Sequence, residues 1–122
     1  MSTIKLIGRI VTISSNKKAK DIAIYKVGQF VDYTDFLVVL SINNPAHAKA
    51  LLETMLKGPE SIGVKPYSIE GLNTSWVVLD LGEVIVHMFD NESRNYYDID
   101  GLWMDAQLEQ IDKNNPQRLN IQ

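Results

Sequence analysis

WVVLDLGEVIVHMF, residues 76–89, places alternating side chains on either side of a Leu81-Gly82 pair, the pattern of two strands joined by a tight turn. With Trp76 to Asp80 and Glu83 to Phe89 as strands and Leu81-Gly82 as a two-residue turn, Asp80 faces Glu83, Val78 faces Ile85 and Trp76 faces His87. Directly opposed residues share a sheet face. One face then gathers Val77, Leu79, Val84, Val86 and Met88, and belongs beneath helices. The other carries Trp76, Val78, Asp80, Glu83, Ile85 and His87. A tryptophan and aliphatic side chains bordered by carboxylates and an imidazole have the make-up of a partner's footprint. The same face could equally be covered by a further helix or by the chain's own C-terminal segment. A three-residue turn would exchange the two faces, because side chains alternate with a period of two.

Upstream, Asn44 and Pro45 open a helix in which Ala48, Leu51, Leu52, Met55 and Leu56 form a core-facing stripe, and Gly58-Pro59 ends it. Asp21 to Val27 and Thr34 to Ser41 read as an antiparallel pair of strands. Lys65 to Glu70 reads as a short strand, so the Pro45 helix becomes a crossover lying on one sheet face. Ile4, Ile7, Ile10 or Val11, and Ser14 give Thr3 to Lys18 helical spacing, weakened by Gly8 and β-branched residues. Downstream, Asn91 or Ser93 is a candidate cap for a short helical turn bearing Tyr96 and Tyr97. A final helix is expected from Asp100 or Gly101 to about Asp112, with Leu102, Trp103, Ala106, Leu108 and Ile111 as its apolar positions. Residues 113–122 read as a polar tail. The expected fold is a single α/β domain over residues 1–112, with a mixed β-sheet of about five strands flanked by helices.

Composition narrows the function. The chain has 122 residues, 45% of them hydrophobic, enough for one core. Without cysteine it has no disulfide, thiolate metal site or thiol chemistry. No apolar run approaches the roughly 20 residues that span a bilayer, and Lys5, Gly8 and Arg9 interrupt Ile4 to Ile13, which argues against a secretory signal. The five bases and no acids of residues 1–20 superficially resemble a transit peptide, but fit a basic first helix of the domain. A cytoplasmic location is expected.

The formal net charge of −3 hides a polarity along the chain. Through Tyr67 there are nine bases and five acids, whereas Ser68 to Asp112 holds ten acids and Arg94 alone. An acidic half repels phosphate and attracts a basic protein. The aromatic residues Trp76, Tyr96, Tyr97 and Trp103 lie in that acidic half, away from the bases, contrary to the interleaving of an RNA-binding surface. Lys17, Lys18 and Lys20 remain candidates for a minor RNA contact.

Catalytic readings find little support. Nucleotidyl transfer needs a Gly-Ser phosphate-binding turn followed by carboxylates that hold Mg²⁺, and the sequence has no Gly-Ser pair. Asp98 and Asp100 stand in Asp-x-Asp spacing beyond the strands, as in a solvated turn. His87 has no second histidine nearby and His47 falls on a helix, so no metal, cofactor or catalytic set is expected.

Trp76 to Phe89, with Glu92-Ser-Arg94-Asn-Tyr-Tyr97 and Leu102-Trp103 after it, resembles the signature of the ribosomal silencing factor family, also called Iojap-like. Ala19-Lys-Asp21-Ile22 and Thr34-Asp35-Phe36 are similar to that family's first two strands, so the resemblance covers roughly residues 16–105. It departs at Ser41-Ile-Asn43-Asn44-Pro45, where the family usually has a Gly-Thr-Ser type segment. The resemblance implies a nucleotidyltransferase-like topology without catalysis. It further implies binding to the fourteenth protein of the large ribosomal subunit, which blocks joining of the small subunit when nutrients are scarce. The contact residues it implies are Trp76 and the turn residues Asp80, Leu81 and Gly82; Leu81 is expected to project at the tip, although a turn leucine could instead fold back onto the core. Glu83, His87 and Arg94 are secondary candidates, although Arg94 could instead pair with Glu92 or Asp90. A nucleotidyltransferase-like enzyme and a ribosome-assembly adaptor are the alternatives, and an exposed Trp76 and Ile85 patch would favour a homodimer in the free protein.

Overall fold

In the computed structural model, which describes residues 2–111, a six-stranded mixed sheet carries two long helices on one face. Helix α1 (Thr3–Asn16) begins at Ser2, whose hydroxyl accepts the Lys5 N–H, and buries Leu6, Ile7, Ile10, Val11 and Ile13. Strands β1 (Lys20–Lys26) and β2 (Phe36–Ser41) pair antiparallel, with Ile24 opposite Val38. Helix α2 (Pro45–Leu56) starts where its punctuation predicts: the Asn44 side chain accepts the His47 N–H and proline occupies the first turn. Ala48, Leu51, Leu52 and Met55 are its buried stripe. His47 also ties the two helices together, since its Nδ1 accepts the Asn43 N–H and its Nε2 lies 2.7 Å from the Lys17 carbonyl at the end of α1.

The chain then crosses to β3 (Ser68–Glu70) at the far edge, and β4 (Trp76–Asp80) and β5 (Val84–Phe89) fill the gap back to β2. The strand order is β3-β4-β5-β2-β1-β6. Only β2 and β5 pair in parallel; the other neighbours are antiparallel. Under the helices, α1 and α2 pack on Ile22, Ile24, Val38, Leu40, Val77, Leu79, Val84, Val86 and Met88 as one continuous core. Burying a side chain of this size contributes about 1.5–3 kcal/mol, so this layer supplies most of the folding drive.

The hairpin register differs from the expected one. Asp80 opposes Ile85, Val78 opposes His87 and Trp76 opposes Phe89, while the Leu81 N–H donates to the Val84 carbonyl. The turn residues are therefore Gly82 and Glu83, not Leu81 and Gly82. Gly82 has φ +87°, the conformation a two-residue hairpin needs at its first turn position. The slip is two residues, so side-chain parity is kept and both faces keep their strand members; Glu83 leaves the outer face for the turn, where its carboxylate accepts the Thr3 hydroxyl of α1.

After β5 the Asp90 side chain, rather than Asn91 or Ser93, caps helix α3 (Asn91–Tyr97) by accepting the Ser93 N–H. Asp98 turns left-handed, with φ 49°, and leads through α4 (Ile99–Leu102) and a 3-10 turn (Met104–Ala106) into β6 (Gln107–Ile111). The final helix expected as far as Asp112 is thus a strand lying along β1, and the sheet gains a sixth member. The apolar spacing of that segment suits neither period well. The decisive factor is β1, whose outer backbone groups would otherwise form an open edge. Asp112 and the polar tail at 113–122 lie outside the described residues.

Candidate protein-binding face

The sheet face opposite α1 and α2 has its own smaller core of Ala23, Tyr25, Val27, Leu37, Val39, Ile85, Phe89 and Ala106, onto which Trp76, Val78, Ile99 and Trp103 pack half-buried. The segment from α3 to the 3-10 turn covers this face over β1 and β2. Over the hairpin the cover is thinner, and there Trp76, Val78, Asp80 and His87 share a strip in which every member is partly open to solvent.

Trp76 is held from three sides. Its ring stacks on Phe89 with centroids 4.9 Å apart, Tyr97 of α3 leans against it at 4.6 Å, and its indole N–H donates to Nδ1 of His87 at 3.0 Å. Sequence reading missed this use of Phe89 and Tyr97, because the two-residue slip in register is what brings Phe89 opposite Trp76. The alternative of a further helix covering the tryptophan is met in part, by Tyr97 of α3. Burial pushes the His87 imidazole down to about 4 from its ordinary 6.5, so the ring is neutral at physiological pH.

That shift predicts an acid sensitivity. Between pH 6.5 and 4 the unfolded chain takes up a proton that folded His87 refuses, so stability is full above about pH 6.5 and falls as pH drops through that window. The loss expected between pH 7.5 and 5 is about 2 kcal/mol, measurable by urea unfolding. His87→Gln should flatten the dependence, and an equally steep profile in that variant would refute the assignment.

At the other end of the strands, about 14 Å away at roughly 3.4 Å per residue, the Asp80 carboxylate accepts the Gly82 N–H at 2.8 Å and sets the turn. The ring of Tyr67 lies over Gly82, so close that a β-carbon there would meet it at 2.6 Å. The Glu83 carboxylate accepts the Thr3 hydroxyl, and its carbonyl accepts the Asp35 and Phe36 N–H groups. Leu81 does not project at the tip. It points into the helical core with 5% of its surface exposed, because in the observed register it belongs to the inner face beside Val84.

Arg94 also departs from expectation. It pairs with neither Glu92 nor Asp90: its guanidinium makes a two-pronged contact with Asp100 at 2.8 and 2.9 Å and donates to the Ser41 hydroxyl at 2.8 Å. The Tyr25 hydroxyl donates to the same carboxylate at 2.6 Å. Asp100 is therefore no solvated turn residue. Burial pushes its carboxyl up, but the hydrogen bonds from Arg94 and Tyr25 outweigh this and hold it below the ordinary value, while burial and Asp100 together raise the Tyr25 hydroxyl. With 11% of its side chain exposed, Arg94 fastens α3 to the sheet and so fixes Tyr97 against Trp76. A local sequence reading finds the neighbouring acids but not Asp100, which the left-handed Asp98 turns back toward the helix. Among the described residues no cluster of histidine and carboxylate side chains could hold a metal.

A family model described as "Ribosomal silencing factor during starvation" matches residues 1–121. The chain belongs to that family. The ribosomal silencing factor RsfS of Bacillus subtilis is 29% identical over 98 residues, spanning 80% of this chain and 83% of that one. A mouse protein named "Mitochondrial assembly of ribosomal large subunit protein 1" is 29% identical over 113 residues, spanning 86% of this chain and 50% of that one. Among solved structures, a protein of Chromobacterium violaceum superposes with a TM-score of 0.77 at 27% identity, covering 85% of this chain and 88% of that one. One from Bacillus halodurans gives 0.71 at 26% identity, covering 86% and 97%. In this silencing-factor domain no helix of the described residues is long and apolar enough to cross a membrane.

Proposed function

We propose that this chain is a non-enzymatic repressor of translation in the cytoplasm. It occupies the large ribosomal subunit at its fourteenth protein and sterically prevents the small subunit from joining. The observation that carries the reading is the open strip of β4 and β5, in which Trp76 and Val78 sit beside Asp80 and His87 with Glu83 at the turn. An aromatic anchor among acidic groups suits a basic protein surface. Membership of the silencing-factor family supports the ribosome as the target. The contacts proposed are Trp76, Asp80, Glu83 and His87, with Gly82 shaping the turn and Leu81 and Arg94 acting from beneath. The steric mechanism involves no turnover.

The test is co-sedimentation with purified large subunits, paired with a subunit-joining assay. The wild-type chain should bind and reduce joining, and Trp76→Ala, once shown to be folded, should weaken binding roughly 30-fold or more, as interface hot spots do. Binding that survives Trp76→Ala would displace the site, and no wild-type binding would end the functional reading. The mouse relative's name favours a second reading, an adaptor in assembly of the large subunit. That reading gains if the chain binds precursor particles but leaves joining of mature subunits unchanged.

A further inference from the structure

Trp76 and His87 are coupled by a hydrogen bond and a ring contact. The indole N–H is only a donor, so the His87 Nδ1 that receives it at 3.0 Å must be the unprotonated nitrogen. The proton of the neutral ring then sits on Nε2. Among the described residues no protein group accepts that proton, and the buried side-chain polar atom without a partner is Ser14 Oγ, not His87 Nε2. Nε2–H therefore reaches solvent on the strip of Val78 and Asp80. Ring position is fixed as well as charge: His87 lies parallel to Phe89 at 6.0 Å, within 13°, and 5.9 Å from the Trp76 ring.

We infer that Trp76 sets the tautomer of His87 so that the imidazole Nε2–H is a specificity-determining donor, which takes an uncharged acceptor oxygen, a carbonyl or hydroxyl, on the bound protein. A carboxylate in that place is disfavoured by Asp80 on the same strip. A partner presenting a donor there would meet Nε2–H head-on and leave both groups unpaired, which is how a buried polar group rejects the wrong ligand. The inference rests on the protein-binding reading of this face and specifies what the face selects.

Two substitutions separate a donor from a packing residue. His87→Gln keeps an amide donor for the partner and a carbonyl for the indole but loses the ring, whereas His87→Phe keeps the ring and loses both polar functions. Affinity for large subunits, measured on variants shown to be folded, should stay within about threefold for His87→Gln and fall about tenfold or more for His87→Phe, as loss of one buried hydrogen bond implies. The reverse order would make His87 a packing residue and overturn the inference while leaving the binding face intact. In parallel, nitrogen-15 NMR of the full-length wild-type chain should show Nε2 protonated and Nδ1 bare, with a second tautomer emerging in Trp76→Phe. A protonated Nδ1 in the wild type would refute the lock directly. No binding by the wild-type chain would overturn the functional reading and the proposed contact together, a result distinct from a reversed order of the two variants.

Discussion

Leu81→Ala is expected to lower the unfolding free energy by about 3 kcal/mol, within the range for emptying a buried leucine site, while the folded fraction keeps its affinity for the large subunit. The side chain is 5% exposed and belongs to the core under α1 and α2, beside the strands it joins. Urea unfolding gives the first quantity, and co-sedimentation below the transition gives the second. Full stability with lost affinity would put Leu81 back at the tip and refute the observed register. The distinction matters because a leucine in a hairpin turn is easily taken for a contact residue when its variant merely fails to fold.

Gly71→Ala should be as damaging, by about 3 kcal/mol, through backbone strain rather than a cavity. Gly71 has φ +78°, and an added β-carbon would lie 2.1 Å from the Trp76 carbonyl oxygen. Backbone, not a movable side chain, stands in the way. The loop it opens is tightly drawn: the Thr74 hydroxyl lies 2.6 Å from the Gly71 carbonyl and 3.0 Å from the Trp76 carbonyl. Relief of the clash must therefore displace the start of β4, so stability and Trp76 placement should suffer together. Thermal unfolding and tryptophan fluorescence would follow the two effects. An alanine variant with unchanged melting and an unchanged emission spectrum would contradict the geometry.

Legibility in the sequence followed the range of the interactions. The start of helix α2 was readable to the residue, since Asn44 and Pro45 act locally, and four of the five residues of its apolar stripe are buried, Leu56 being half-buried. The two faces of the hairpin were readable although the turn was misplaced, because an even slip in register leaves each side chain that stays in a strand on its own side; Glu83, which moves into the turn, does not. What failed was non-local. Whether residues 107–111 become helix or strand depends on the unpaired edge of β1, more than 80 positions upstream. The partner of Arg94 depends on the positive φ of Asp98, and the burial of Leu81 on which backbone group its N–H meets. The candidate strip inherits both outcomes: alternation put Trp76, Asp80 and His87 on one face, but the cover from Tyr97 and the bracing by Asp100 were not legible.

The outer strand on the hairpin side of the sheet, β3, has a consequence for life in a crowded cell. It is three residues long, its inner side is taken by β4, and it ends between Pro66, which has no N–H to give, and Gly71, where the chain turns away. A stray extended chain docking there finds about three rungs of backbone before the ladder stops, too few to hold a foreign strand by hydrogen bonds alone. On this side of the sheet, the candidate face of β4 and β5 can therefore stay open to solvent beside a rim that offers a foreign strand little purchase.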